Sequence, residues 1–225
     1  MRAESVDRGL QPYEGKALRF AGTTRDQHIL GLASASAFVS LIFLVQSGAT
    51  QTFDLSARSM SLALNTPTTV QVWKLLTFLG STGFLSCLLF LALAYLAAAR
   101  CWAELRLALI TAAGAVVLDI GAKLIIHRPR PPEVYANTMP ASFSFPSGHA
   151  FYNLVFYVTM LTIMGRLNPK LSRVGVYSIT LAMPVVIGAS RVFLGVHYMT
   201  DVLGGYLMAI FWIQFARVIF STLSE

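Results

Sequence analysis

The chain has 225 residues, of which 56% are hydrophobic and only 12% charged, and its mean hydropathy is +0.65. A soluble domain of this length carries roughly twice that charged fraction, so the composition excludes a soluble globular fold and points to one integral membrane domain. The net charge of +7 does not signal nucleic acid, because the basic residues stand in short loops between apolar runs, with no aromatic-interleaved basic surface among them.

Residues 1–28 form a mixed-charge amino-terminal tail. They lack an h-region followed by a small-residue cleavage site, so a cytoplasmic tail is expected and a signal peptide is not. Residues 29–225 then form the membrane domain. Apolar runs of about 17–25 residues predict membrane helices. There are six: Ile29 to about Val45, the stretch after Lys74 through Ala99, Leu107 to about Ile126, Ser147 to Gly165, Val174 to Ser190, and about Thr200 to Ile219. Backbone groups in lipid must be satisfied within each segment, and strand-like alternation is absent, so the expected fold is an all-α bundle of six transmembrane helices. The stretch Thr52 to Trp73, with Asp54, Arg58 and Pro67, is too broken to span and reads as an interfacial helix and turn between the first two helices. Cys87 and Cys101 lie in or beside apolar helix and read as packing residues, not as a disulfide or a metal site.

Six spans put both termini on one side, and the basic residues choose it. Arg2, Arg8, Lys16, Arg19 and Arg25, then Arg100 and Arg106, then Arg166, Lys170 and Arg173, and finally Arg217 belong to the cytoplasmic face. The opposite face holds Arg58, Lys74, Arg128, Arg130 and Arg191.

Three strings on that opposite face carry chemistry. Lys123 stands at the end of the third helix, and Arg130 follows where Pro129, Pro131 and Pro132 stop it. Both can hold phosphate oxygens, or they can be helix-end cations snorkelling to water. Asp119, four residues before Lys123, shares its face and is expected to neutralise and orient it. Pro146-Ser147-Gly148-His149 opens the fourth helix, where free N–H groups and the helix dipole favour an anion. Gly148 lets a phosphate approach the backbone, Ser147 adds a hydroxyl, and His149 can move a proton. The alternative is an ordinary serine cap beside a buried histidine. Ser190-Arg191 precedes His197 and Asp201, whose i,i+4 spacing lets a carboxylate hold one imidazole nitrogen and free the other as a nucleophile. A plain helix-surface pair is the alternative there. All three strings fall at one predicted membrane rim, and together they supply the parts of phosphoryl transfer through a covalent intermediate.

These residues resemble the type 2 phosphatidic acid phosphatase family, membrane relatives of acid phosphatases and vanadium haloperoxidases. The family pattern is Lys-x6-Arg-Pro, Pro-Ser-Gly-His and Ser-Arg-x5-His-x3-Asp. Here it reads Lys123 to Arg130-Pro131, Pro146 to His149, and Ser190-Arg191 to His197 and Asp201. The resemblance implies a histidine nucleophile at His197, oriented by Asp201. It implies a phosphate cradle of Lys123, Arg130, Arg191, Ser147 and the Gly148 N–H, and an acid and base at His149. No metal and no cofactor is implied, because fixed cations take a metal's place. His127 and Arg128 are not motif positions, and Arg128 reads as a solvated flank, with a head-group contact as the alternative.

The expected function is a lipid phosphatase of the bacterial inner membrane with its site on the extracytoplasmic face. Candidate substrates are undecaprenyl pyrophosphate, phosphatidylglycerophosphate, phosphatidic acid and a phosphorylated glycolipid. The expected partners are the membrane and a lipid phosphate, with no nucleic acid, and oligomeric state is not legible. A lipid phosphotransferase would use the same residues. A non-catalytic lipid-binding or transport protein is the reading of another class, and the complete constellation argues against it.

Overall fold

The computed structural model of the chain describes residues 24–132, 135, 142–168 and 173–223, and all regular structure among them is helical. The tail residues Arg2, Arg8, Lys16 and Arg19, the loop residue Lys170, and most of the stretch between Pro132 and Ser142 lie outside the described residues. The described residues form α1 (Thr24–Gln46), α2 (Gln51–Ala63), α3 (Pro67–Leu79), α4 (Thr82–Ala98), α5 (Trp102–Ile126), α6 (Gly148–Leu167), α7 (Arg173–Phe193) and α8 (Met199–Thr222). Helix α1 thus begins ahead of the predicted Ile29.

Among the described residues, five helical stretches are long and apolar enough to cross a bilayer: Arg25–Gln46, Pro67–Ala98, Trp102–Ile126, Gly148–Leu167 and Met199–Thr222. The remaining predicted run is α7, helical over 21 residues, with the shorter apolar piece Thr180–Phe193. The fold is therefore an all-helical membrane bundle with five candidate spans among the described residues, where the sequence predicts six.

The second predicted span needs a correction. Pro67 and Lys74 interrupt the hydropathy, which assigns everything up to Trp73 to an interfacial segment. Only α2 is separate. Pro67 starts α3 instead of breaking a helix, because its fixed φ suits the first helical position. Thr66 caps that start: its Oγ1 accepts from the Thr69 N–H at 3.2 Å, and the Thr69 Oγ1 accepts from the Thr66 N–H at 2.7 Å. Helix α3 continues through Lys74 to Leu79, and α4 restarts behind Ser81, whose Oγ accepts from the Phe84 N–H.

Helices α6 and α8 form the centre. They pack on one another, α5 lies against both, α7 covers α6 and α1 runs along α8. The core between them holds Phe151, Val155, Met208, Trp212 and Ile213. Large apolar side chains on α1, α4 and α5 face outward, among them Phe43, Phe90 and Val117, the last 70% exposed. Such an outward apolar face suits lipid, where helices associate through close packing and not through exclusion of water. Cys101 packs against Leu96 and Leu107 as predicted, whereas Cys87 lies exposed on α4, and both thiols are free.

The carboxyl ends of α5 and α7 and the amino ends of α6 and α8 meet at one end of the bundle. The other end is closed by Leu96, Leu107, Ala108 and Ile163, with Phe220 against them. Between the ends, α5 and α8 touch at Gly114, where a Cβ would stand 2.0 Å from Trp212 Cζ2. Trp212 also donates its indole N–H to the Thr111 carbonyl at 2.8 Å. Gly114→Ala is expected to lower stability by about 1–3 kcal/mol through overpacking. Gly83→Ala, with open space around the new methyl, should be neutral or slightly stabilising. Thermal midpoints of the two variants in detergent check the contrast.

Candidate active site

Lys123 occupies the last turn of α5. Its Nζ is 2.6 Å from Asp119 Oδ2, as the i,i+4 spacing predicts, and the Tyr152 hydroxyl donates to the same oxygen at 3.0 Å. Helix α5 ends at His127, whose left-handed backbone (φ 51°) returns its N–H to the Lys123 carbonyl. That turn carries Arg128 to Pro132 across the mouth of the bundle. Arg130 donates through Nη1 to the Val196 carbonyl at 2.9 Å and faces His197 Nε2 at 3.1 Å. Its Nε and Nη2 hold Ser142 and the Phe143 carbonyl.

Ser147 stands at the cap position of α6, yet its hydroxyl does not bond the helix. The Oγ is fully buried and has no protein hydrogen-bond partner. Its backbone N–H donates to the Asp201 carbonyl at 2.9 Å, which joins the second string to the third. A Cβ on Gly148 would stand 3.2 Å from Lys123 Nζ, so the first string meets the second there. His149 is half-buried and lies within Coulombic reach of Arg191, His197, Lys123 and Arg130.

Arg191 is buried in the last turn of α7. Its Nη1 donates to Thr77 Oγ1 of α3 at 2.7 Å, and its Nε has no partner. The chain then turns through Gly195 at φ 73°, a conformation that costs glycine nothing. The turn brings the His197 N–H back to the Arg191 carbonyl at 3.3 Å. His197 Nδ1 lies 3.2 Å from Asp201 Oδ2, and the same oxygen accepts the Tyr198 N–H at 2.9 Å, capping α8.

Arg130 can only donate, so the nitrogen facing it must carry a lone pair, which leaves the imidazole proton on Nδ1 toward Asp201. Burial pushes the His197 pKa down to about 4, Asp201 pulls it back up, and Arg191 with Arg130 push it further down. His197 is therefore neutral at ordinary pH, with an unprotonated Nε2 facing a cluster of cations. The described residues gather no group of three or more His, Cys, Asp or Glu side chains in the manner of a metal site.

A family model described as the PAP2 superfamily matches residues 103–225. The chain belongs to the PAP2 superfamily. It is an integral-membrane phosphatase of that family. It is 31% identical over 176 residues to phosphatidylglycerophosphatase B of Bacillus subtilis, covering 77% of this chain and 86% of that one. It is 31% identical over 109 residues to an undecaprenyl-diphosphatase of Sulfolobus acidocaldarius, covering 46% and 48% of the two chains. Among solved structures, the transmembrane PAP2-type phosphatidylglycerolphosphate phosphatase of Bacillus subtilis superposes with a TM-score of 0.76 at 28% identity, over 86% of this chain and 96% of that one. LpxE of Aquifex aeolicus shares the fold, with a TM-score of 0.57 at 19% identity over 74% and 95%.

All eight residues singled out from the PAP2 motifs, Lys123, Arg130, Ser147, Gly148, His149, Arg191, His197 and Asp201, lie at the same end of the bundle. Arg128 is the correction. It is no solvated flank: its side chain is 13% exposed, Nη1 lies 2.5 Å from Asp201 Oδ1 and Nη2 lies 2.7 Å from Asp54 Oδ2. Its guanidinium also sits over the Tyr198 ring at 4.4 Å. Asp54, assigned to the interfacial stretch, is 1% exposed and also accepts the Thr200 N–H and hydroxyl. Sequence spacing carries no signal for a pair formed by residues 54 and 128. The local hint was Arg128 standing two residues before a motif arginine and directly ahead of Pro129, which limits its backbone.

The unpartnered Ser147 hydroxyl gives a test. Ser147→Ala is expected to leave the thermal midpoint unchanged, since no intramolecular hydrogen bond is lost. It should weaken inhibition by inorganic phosphate about tenfold, the value of one hydrogen bond to a charged ligand. Ser144→Ala, which loses a 3.0 Å bond to the Pro129 carbonyl, should instead lower the midpoint.

Proposed function

We propose that this PAP2 protein releases phosphate from a lipid phosphate or pyrophosphate through a phosphohistidine on His197. The observation that carries the reading is the geometry of His197, with Nδ1 held 3.2 Å from Asp201 and Nε2 facing the Arg130 guanidinium at 3.1 Å. Lys123, Arg130 and Arg191, with the Ser147 hydroxyl and the Gly148 N–H, hold the phosphate oxygens. Charge developing on them in the transition state is met by donors already in place. Nε2 attacks phosphorus as the ester oxygen leaves. His149 gives that oxygen its proton. The neutral His149 then takes a proton from water, which attacks phosphorus and breaks the P–N bond. Phosphate departs and His197 returns to its neutral form. The fixed cations do the electrostatic work of a metal, so the reaction is metal-independent.

Two observations support a lipid substrate. Tyr152, which touches Asp119 beside Lys123, also lines an apolar crevice of about 250 Å3 between α4, α5 and α6, with Leu89, Ala115, Val116, Val155 and Phe156. Acyl or prenyl carbons would fill it. The relative aligned over most of this chain is a phosphatidylglycerophosphatase, which makes phosphatidylglycerophosphate the first candidate. Undecaprenyl pyrophosphate is the second, on the relative aligned over about half of it. In the membrane, α7 makes the sixth crossing, and Arg100, Arg106 and Arg166 at the end remote from the site favour a cytoplasmic position for that end. The site then opens to the extracytoplasmic face of a bacterial inner membrane.

The test is phosphate release by purified protein from a panel of these lipids. His197→Ala should abolish release and excess chelator should leave it unchanged; normal turnover by His197→Ala would end the mechanism. The imidazole must be unprotonated to attack, and its folded pKa lies below the usual 6.5. Once the substrate's own ionisation is allowed for, the acid limb of kcat/KM should fall well below pH 6.5, near 4, with activity present above it and lost as pH drops through it.

A further inference from the structure

Helix α2 carries an inward polar stripe, Asp54, Arg58 and Ser61, continued by Asn65, at i, i+4, i+7 and i+11. Each member bonds a different part of the catalytic rim. Asp54 accepts from Thr200 and Arg128, and Arg58 donates to the Pro132 carbonyl. Ser61 Oγ reaches the Val192 carbonyl at 3.3 Å, and Asn65 Nδ2 reaches the Phe193 carbonyl at 2.7 Å. Phe53, Met60 and Leu64 are exposed on the same helix. Its charged residues are thus turned inward and its large apolar residues outward, the reverse of a soluble amphipathic helix.

We propose that Asp54 and Arg128 are positioning residues, through which α2 fixes the rotamer and charge of Asp201 and so the aim of His197. The proposal rests on the reading of His197 as nucleophile and Asp201 as its orienter. Arg128 grips Asp201 Oδ1 and leaves Oδ2 to His197 Nδ1 and the Tyr198 N–H. Asp54 holds the other arm of the same guanidinium, and its two oxygens also pin Thr200, the neighbour of Asp201. Released from Asp54, Arg128 could follow either carboxylate oxygen of Asp201. Released from Arg128, Asp201 could shift its carboxylate and misaim the imidazole it still holds. Asp54 lies outside residues 103–225, the part the family model matches, so this support reaches the motif residues from earlier in the chain.

The charged and titratable groups facing the His197–Asp201 pair come from every surrounding element. They are Arg128 and Arg130 from the α5–α6 connection, Arg191 from α7, His149 from α6, Lys123 with Asp119 from α5, and Asp54 from α2. Without the Arg128 cation the whole Asp201 charge falls on His197, which then takes up its proton at higher pH. Removing the Asp54 anion has the opposite sign.

Purified Arg128→Gln, Arg128→Lys and Asp54→Asn are compared with the unmodified protein on the lipid phosphate it turns over best. For Arg128→Gln, kcat should fall about 100-fold, as expected for a misaimed reacting group, with KM changed by less than about threefold. Its acid limb of kcat/KM should move up by about one pH unit. Arg128→Lys keeps the charge and should return the limb to its original position. It should recover only part of kcat, because an ammonium cannot bridge two carboxylates as a planar fork does. Asp54→Asn should lower kcat with no upward movement of the limb. A limb in Arg128→Gln superimposable on that of the unmodified protein, with activity tracking the thermal midpoint alone, would overturn the proposal. Should Arg128→Gln not fold, a folded Asp54→Asn with undiminished kcat would overturn it. Undiminished release by His197→Ala would instead sink the nucleophile assignment, which is measured first and separately.

Discussion

Burying a carboxylate costs several kcal/mol unless charge and hydrogen bonds surround it, and Asp201 is fully buried. Its two oxygens receive an arginine, an imidazole and a backbone N–H, while its own carbonyl receives the Ser147 N–H. These contacts draw on all three sequence strings, on the cap of α8 and, through Arg128, on α2. The end of the bundle where four helix termini meet is therefore organised around one anion. Take that anion away, and Arg128, the imidazole and the Tyr198 N–H would each lose a partner together.

Around Asp201 the cations exceed what the carboxylates neutralise. Lys123 is matched by Asp119, and Arg128 is shared between Asp54 and Asp201. Arg130 and Arg191 are held by carbonyl and hydroxyl oxygens, and neither has a carboxylate salt bridge among the described residues. Positive charge without a matching anion, beside a buried hydroxyl and a guanidinium nitrogen that lack partners, is the electrostatic complement of a phosphate. Burial keeps the neighbouring imidazole neutral and the same surplus adds to it, so one arrangement both receives the substrate and prepares the attacking nitrogen.

Much of this was legible in the sequence, because much of it is local. The His197–Asp201 and Asp119–Lys123 pairs are one helical turn apart, and hydropathy located most helices within a few residues. What escaped was non-local or masked by composition. Asp54 and Arg128 looked like charges in broken or exposed stretches because their partners lie far along the chain, and spacing reports only contacts within an element. The start of α3 escaped for a different reason. Proline and lysine lower a hydropathy average, yet a proline behind a threonine cap is a favourable way to begin a helix. The reading of Cys87 as a packing residue failed because apolar surroundings in a membrane protein include the lipid.

The inward polar stripe of α2 also constrains how the protein is made. The partners of Asp54, Arg58, Ser61 and Asn65 lie 146, 74, 131 and 128 residues further along the chain. During synthesis α2 emerges well before any of them, with a buried-type aspartate whose countercharge at that stage is Arg58, one turn along the same helix. Until Arg128 and Pro132, then the end of α7, then Thr200 have followed, its polar side is left in part to water and headgroups at the membrane surface. The contacts of α2 can therefore be complete only once Thr200 and Asp201 have been made. The catalytic end is completed only when the chain is nearly finished, so a truncated product would hold the cradle residues of the first strings without the ordered pair that works on them.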